Sequence, residues 1–363
     1  MTEKIKKTSF LEADISIGGV SLTDKVVFAK HLSVMLKAGM TIAESLQIIE
    51  NQSKGKFKKA IAAILRSIEA GNSLAFALAK YPRIFSSLFV NTTYAGEASG
   101  TLEKNLENIA EQLKKSKELV DKVKGAMIYP VVVLVGTLVL GLVMSFLVLP
   151  KIIPLFEGLK MDLPLTTRML IWISHFVQDH GTFLLVAIFL FVVSFSWLIR
   201  QAFFKPITHY LFLHTPIVKN ISHNTNLANF CRTLGTLLKS GLNIVEALNI
   251  TKDTVENYYY KKCLEKISDK VSQGTTLSDN LAAMEKYFPR IATSMIRVGE
   301  RSGNLEETLF YLAAFYEEEV DNATKALSTA IEPILLILIG ITVGGLAVSI
   351  ISPIYKMTGN VNK

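Results

Sequence analysis

The stretch FAKHLSVMLKAGMTIAESL, beginning at Phe28, returns as FCRTLGTLLKSGLNIVEAL from Phe230. Further on, FSSLFVNTTYAGEASGTL (Phe85–Leu102) is answered by FPRIATSMIRVGERSGNL (Phe288–Leu305). The offset is 202 residues in the first pair and 203 in the second, so two parallel copies differ by one inserted residue. A repeat of this kind constrains the fold before any other signal, because both copies must bury the same faces in the same way. The chain is one module used twice.

The period inside each copy is helical. Phe28, Leu32, Met35 and Leu36 fall on one face, matched by Phe230, Leu234, Leu237 and Leu238. Ser21 and Asp24 have the spacing of a capping box, which starts this helix. Gly39 and Gly241 stand where it should end, since glycine accepts the left-handed conformation of a helix C-terminus. Ile42, Leu46 and Ile49 give a second inward stripe, and Ile61, Ile64 and Ile68 a third. Short helices follow near Leu74–Leu78 and Ser86–Tyr94, and Leu102, Leu106, Ile109 and Leu113 open a last one with the 4-3-4 spacing of a buried helix face. No segment alternates for long with period two, so each copy reads as a bundle of about six helices, and the class is all-α.

Half of the chain is apolar and 19% is charged, below the quarter usual for a soluble domain. The apolar excess is concentrated. Met127–Leu149, Thr182–Ile199 and Pro333–Tyr355 carry no charge and read as three membrane spans. Gly340 and Gly344 form a small-xxx-small pattern that permits close helix packing in lipid. Pro130 and Pro333 occupy equivalent places at the start of the first and third spans, where proline is expected to kink or restart the helix. Lys114, Lys115, Lys117, Lys122 and Lys124 precede the first span, whereas the following connector holds only Lys151, Lys160 and Arg168. The positive-inside rule then sets the first bundle in the cytoplasm and the connector outside. The first two spans then return the second bundle to the cytoplasm, and the third leaves the tail outside.

The expected organisation is a flexible lead-in at 1–20, a bundle at 21–125, a span at 126–150 and an external connector at 151–180. A second span at 181–200, a second bundle at 201–329, a third span at 330–355 and an external tail at 356–363 complete it. The formal charge is +8, but residues 1–125 hold 19 Lys/Arg against 13 Asp/Glu and residues 200–330 hold 15 against 14. Neither bundle has the dense basic face of a nucleic-acid binder. Cys231 and Cys263 have no metal-ligand spacing and read as reduced core residues.

No catalytic pattern emerges. The chain lacks a GxxxxGK[ST] phosphate loop, HExxH, CxxC and GxSxG, and no Asp or Glu falls within a span, which argues against an intramembrane aspartyl peptidase or a proton-coupled carrier. No cofactor and no metal is expected. Three features are singled out. The turn Gly96-Glu97-x-Ser99-Gly100 recurs as Gly299-Glu300-x-Ser302-Gly303; its glycines suit a tight turn and its serines could cap the next helix, but a turn does not by itself require glutamate twice. Glu97 and Glu300 therefore also read as a docking surface or weak cation site. Glu332 stands at the lip of the third span, where the first copy has Tyr129. The acidic run Glu317-Glu318-Glu319 with Asp321 reads as a solvated face or a partner contact.

The duplicated FxxxLxxxLxxG helix, both GExSG turns, the Tyr129-Pro130 and Glu332-Pro333 pairs and the three spans resemble, over about residues 21–356, the inner-membrane platform proteins of type IV pilus and type II secretion machines, the PilC / secretion-protein-F family. The resemblance implies two cytoplasmic bundles engaging a hexameric assembly ATPase, spans contacting prepilin or pseudopilin subunits, other inner-membrane assembly proteins as neighbours, and self-association into a homo-oligomer. Its motif positions fall on Gly96, Glu97, Gly100, Gly299, Glu300, Gly303, Pro130, Glu332 and Pro333, none with a catalytic role. Family members often have a longer N-terminal extension than the roughly 20 residues before Ser21. The competing readings are a non-enzymatic membrane receptor or scaffold for a cytosolic partner and, more remotely, a transporter subunit.

Overall fold

A computed structural model describes residues 19–148, 150–152, 154, 165–201 and 203–361. The first copy folds as α1 (Leu22–Lys37), α2 (Ile42–Gln52), α3 (Gly55–Glu69), α4 (Leu74–Ala79), α5 (Ser87–Ser99) and α6 (Leu102–Val143), the last passing into a π-helical turn at Met144–Val148. After α7 (Leu165–Arg200) and α8 (Lys205–His214), the second copy repeats the series. It comprises α9 (Pro216–Lys239), α10 (Ile244–Thr254), α11 (Tyr258–Ser272), α12 (Leu277–Ala282), α13 (Arg290–Ser302) and α14 (Leu305–Val361). Among the described residues there is no strand. The lead-in before Gly19 and the middle of the connector lie outside the described residues.

Local chemistry explains where the helices begin and end. The Ser21 hydroxyl accepts the Asp24 amide at 3.0 Å and the Asp24 carboxylate accepts the Ser21 amide at 3.1 Å, the expected box. A second box joins Thr41 and Glu44 at the start of α2, and Asn243 caps α10 at the equivalent place. The hydrogen bonds to Thr41 hold the Glu44 carboxyl below the usual carboxylate range. Gly39 and Gly241 end their helices with φ of 85° and 89°.

The chain divides into two compact units, one of residues through Glu118 with Asn226–Phe315, the other of Leu119–Thr225 with Tyr316–Lys363. In the first unit each copy is centred on the same aromatic contact. Phe28 and Phe85 lie 5.3 Å apart between ring centroids, and their duplicates Phe230 and Phe288 lie 5.2 Å apart. Phe57 packs edge-on to Phe28, and at its place in the second copy Tyr260 packs on Phe288. The added hydroxyl of Tyr260 donates to the Tyr287 carbonyl at 3.0 Å, so the buried polar atom has its partner. Leu32, Leu46, Ile61, Ile64, Leu106 and Ile109 are fully buried around this cluster, on the faces that the spacing predicts. Cys231 and Cys263 are free and buried, and burial pushes both thiols up.

The two bundles, which the sequence reads as separate segments, pack together within that unit. The α5 helix lies against α10. Gln112 on α6 donates to the Thr233 hydroxyl at 3.0 Å and accepts from Thr236 at 3.3 Å, and the Asn105 amide reaches the Ser240 carbonyl at 3.4 Å. All five side chains are buried. Nothing in the hydrophobic period announces these residues, because a lone Gln or Asn on a helix reads as surface.

In the second unit α7 packs on the π-helical turn. A Cβ added at Gly181 would lie 2.6 Å from the Phe146 ring, so glycine is what lets the ring approach. Thr167 on α7 donates to the Ser349 carbonyl of α14 at 2.8 Å. Among the described residues two helices are long and apolar enough to cross a membrane, Leu102–Ile152 and Leu305–Ser349, and their apolar stretches are 0% and 6% buried, unlike the core helices of a soluble protein. A third, shorter apolar stretch, Leu190–Ile199, lies in α7 within the expected second span. The connector expected at 151–180 is already helical from Leu165.

Of the kink or restart expected at the prolines, the restart does not occur. Pro130 lies inside α6 and Pro333 inside α14, and both helices run on. Each ring removes one N–H, the donor for the carbonyl four residues back, but the flanking turns keep their own bonds, and a helix entering lipid has no other way to satisfy its backbone.

Candidate functional site

The repeated GExSG turn gathers three separate constraints into five residues. The first is closure of a helix. Gly100 adopts a left-handed φ of 73°, and the Thr101 amide reaches back to the Gly96 carbonyl at 2.9 Å. Gly303 and Asn304 do the same, with φ of 76° and the same 2.9 Å bond to Gly299.

Close approach is the second. A Cβ on Gly96 would stand 2.9 Å from the Leu102 Cα and 3.0 Å from the Asn105 Cβ, so α5 meets α6 backbone to backbone. At Gly299 the same atom would meet the Thr308 hydroxyl at 2.5 Å and the Leu305 Cα at 3.2 Å.

The glutamate supplies the third. The two oxygens of Glu97 accept the amides of Leu74 at 2.6 Å and Ala75 at 2.9 Å, the first two residues of α4. Ser73 takes the next amide, that of Phe76, at 3.2 Å. Glu300 repeats the arrangement on Leu277 at 2.6 Å and Ser278 at 3.0 Å. A helix of six residues is too short to hold itself, and its orphan amides need acceptors from outside. A carboxylate placed there also meets the positive end of the helix dipole. This answers why glutamate stands twice in a turn: it belongs to the neighbouring helix. Both oxygens are engaged by amides, and among the described residues no group of three His, Cys, Asp or Glu could hold a metal ion.

The serines do not cap the following helix. Ser99 donates to the Ala95 carbonyl at 2.7 Å and shares a hydrogen bond with Thr101, while Ser302 reaches back to the Gly299 carbonyl.

The remaining singled-out residues lie along the two long helices. Asp321 accepts from Lys122 of α6 at 3.2 Å and from Lys325 at 2.7 Å, and these hydrogen bonds hold its carboxyl below the usual range. Part of the acidic run thus ties α14 to α6. Glu332 and Pro333 are exposed on α14, and Pro130 is buried on α6. Gly340 and Gly344 are exposed, with open space where a Cβ would stand.

A family model described as type II secretion system (T2SS), protein F matches the chain twice, over residues 28–150 and 230–353. The chain belongs to the type II secretion system protein F family. Each matched segment contains one bundle and the apolar helix that continues it, whereas α7 lies in neither. The chain is 36% identical to the type IV pilus assembly protein PilC of Thermus thermophilus over 358 residues, 97% of this chain and 88% of that protein. It is 33% identical to the protein of the same name from Myxococcus xanthus, covering 98% of this chain and 86% of the relative. With type II secretion system protein F of Aeromonas hydrophila the identity is 30%, over 95% of this chain and 89% of the relative. Relatives of this secretion-protein-F family thus carry both pilus-assembly and secretion names. Membership, with two exposed apolar helices, makes this chain a protein of the inner membrane.

Proposed function

We propose that the chain is the inner-membrane platform of a type IV pilus or type II secretion machine, without enzymatic activity of its own. In this reading the bundles face the cytoplasm and engage a hexameric assembly ATPase. The membrane helices contact prepilin or pseudopilin subunits and other assembly proteins as subunits are lifted into a filament. The observation that carries the coupling is the continuity of α6 and α14. Each begins in the core of a bundle, at Leu106 or Leu309, and runs unbroken through its proline into an apolar stretch. A 42-residue helix is about 60 Å long, enough to transmit a displacement from bundle to bilayer.

The test is to interrupt that continuity. A glycine-serine insertion between Leu119 and Lys124 leaves the bundle and the span intact but uncouples them, and filament assembly or secretion should be lost. Unimpaired assembly would sink the lever.

A further inference from the structure

The contact between the two bundles is heterologous: α5 and α6 of the first copy meet α9 and α10 of the second. Because the copies are the same module, each half of that contact exists once more in the chain. The counterpart of α5 and α6 is α13 with the start of α14, and the counterpart of α9 and α10 is α1 with α2. Within this chain both of those faces present exposed apolar residues.

Exposure follows the pairing. Leu88 on α5 is 4% exposed, whereas its duplicate Ile291 is 57% exposed. Ile250 on α10 is 7% exposed and its duplicate Ile48 is 39% exposed. Thr236, which hydrogen-bonds Gln112, is 2% exposed, and Val34 in its place is 51% exposed. The open faces have not turned polar. Val298 and Tyr311 extend the first, where the first copy has Ala95 and Asn108, so exposed apolar residues stand where the first copy carries small or polar ones. Lone exposed apolar residues need no explanation, but these occupy the register of an interface that the same chain already builds.

We infer that the open α13/α14 face of one molecule docks on the open α1/α2 face of a second copy, repeating between chains the contact made within one. Self-association alone is what the family resemblance implies. The addition is the surface and its symmetry, and neither depends on the ATPase or the filament subunit. Two different patches meet, so the contact is head-to-tail and closes into a ring or runs on as an array, unlike a two-fold dimer.

The test uses the full chain in membranes, with two tagged forms co-expressed, one carrying Ile48→Cys and the other Ile291→Cys. A short bismaleimide should give a crosslinked dimer bearing both tags, and neither form alone should crosslink. Cys231 and Cys263 are buried, and the unsubstituted chain serves as the control for them. Both substituted positions are exposed, so the variants should unfold at the wild-type midpoint. Val34→Cys with Val298→Cys provides a second pair if one variant fails to accumulate. Same-cysteine dimers at equal yield would mean a two-fold contact and overturn the inference. So would the absence of mixed dimers with both pairs.

Discussion

Glu97 accepts the backbone amide of Leu74 at 2.6 Å, and its duplicate Glu300 accepts that of Leu277 at the same distance. The repeat has thus kept a carboxylate for the sake of a helix twenty residues upstream. Glu97→Ala leaves two amides of α4 without an acceptor, and hydrogen bonds to a charged group contribute about 1.5–3 kcal/mol. The half-exposed setting lowers this, so a loss of about 2 kcal/mol is expected, and about half of that for Glu97→Gln, which keeps one oxygen. Denaturant unfolding of the purified chain in detergent checks the order. An unchanged midpoint for Glu97→Ala would mean that the cap is not stabilising.

Gly96 and Gly100 should fail for different reasons. Alanine at Gly96 drives a methyl against the Leu102 Cα, and backbone cannot rotate away, so about 1–3 kcal/mol of overpacking is expected. Alanine at Gly100 meets open space but inherits a φ of 73°, a strain of about 1 kcal/mol. Unfolding midpoints should therefore rank Gly96→Ala below Gly100→Ala, and the reverse order would contradict the close approach.

Much of this fold is written in the sequence as spacing. Phe28, Leu32, Leu46, Ile61, Ile64, Leu106 and Ile109 are buried where the helical period sets them, because apolar periodicity records local burial directly. The GExSG residues were equally visible, but Glu97 acts on Leu74, and no spacing rule links a turn to a helix start so far away. Gln112 and Thr233 were silent for a related reason. A polar pair buried between two copies has no period. The Thr41–Glu44 box, by contrast, had a readable signal in Thr-Ile-Ala-Glu.

Gln112 tests how the bundles hold together. In Gln112→Leu the hydroxyls of Thr233 and Thr236 lose their partner in a buried interface, at about 1–3 kcal/mol per unsatisfied group. Each bundle keeps its own aromatic core, so the effect should appear as faster hydrogen exchange in α9 and α10 rather than global loss of helix. Exchange unchanged in both helices would show that the contact is incidental.

The Lys122–Asp321 bridge sets a pH expectation. The Asp321 carboxyl is held below its ordinary value by Lys325 and Lys122. A depressed acid contributes stability above its unfolded pKa, about 3.9, and loses it as pH falls through the lower folded value. The difference between the wild type and Asp321→Asn should therefore be small, as for any exposed pair, constant from about pH 8 to 5, and lost on further acidification as pH falls through the depressed folded value. Unfolding midpoints across that range check the sign. A difference that grows on acidification would contradict it.

The hydrogen bonds that link Gln112 and Asn105 with Thr233, Thr236 and Ser240 bear on topology. They join the two bundles, so both are expected on one side of the membrane, with the chain between them crossing an even number of times. If α6 crosses once, α7 must cross back, although only Leu190–Ile199 of it stands out as apolar among the described residues. At 36 residues α7 is about 54 Å long, ample for a bilayer. Single cysteines at His175 and Lys356 should then react with an impermeant maleimide added outside intact spheroplasts, while cysteines at Glu50 and Lys205 should react only after permeabilisation. Labelling of Lys205→Cys from outside would leave the bundles on opposite sides, incompatible with the buried contacts that join them.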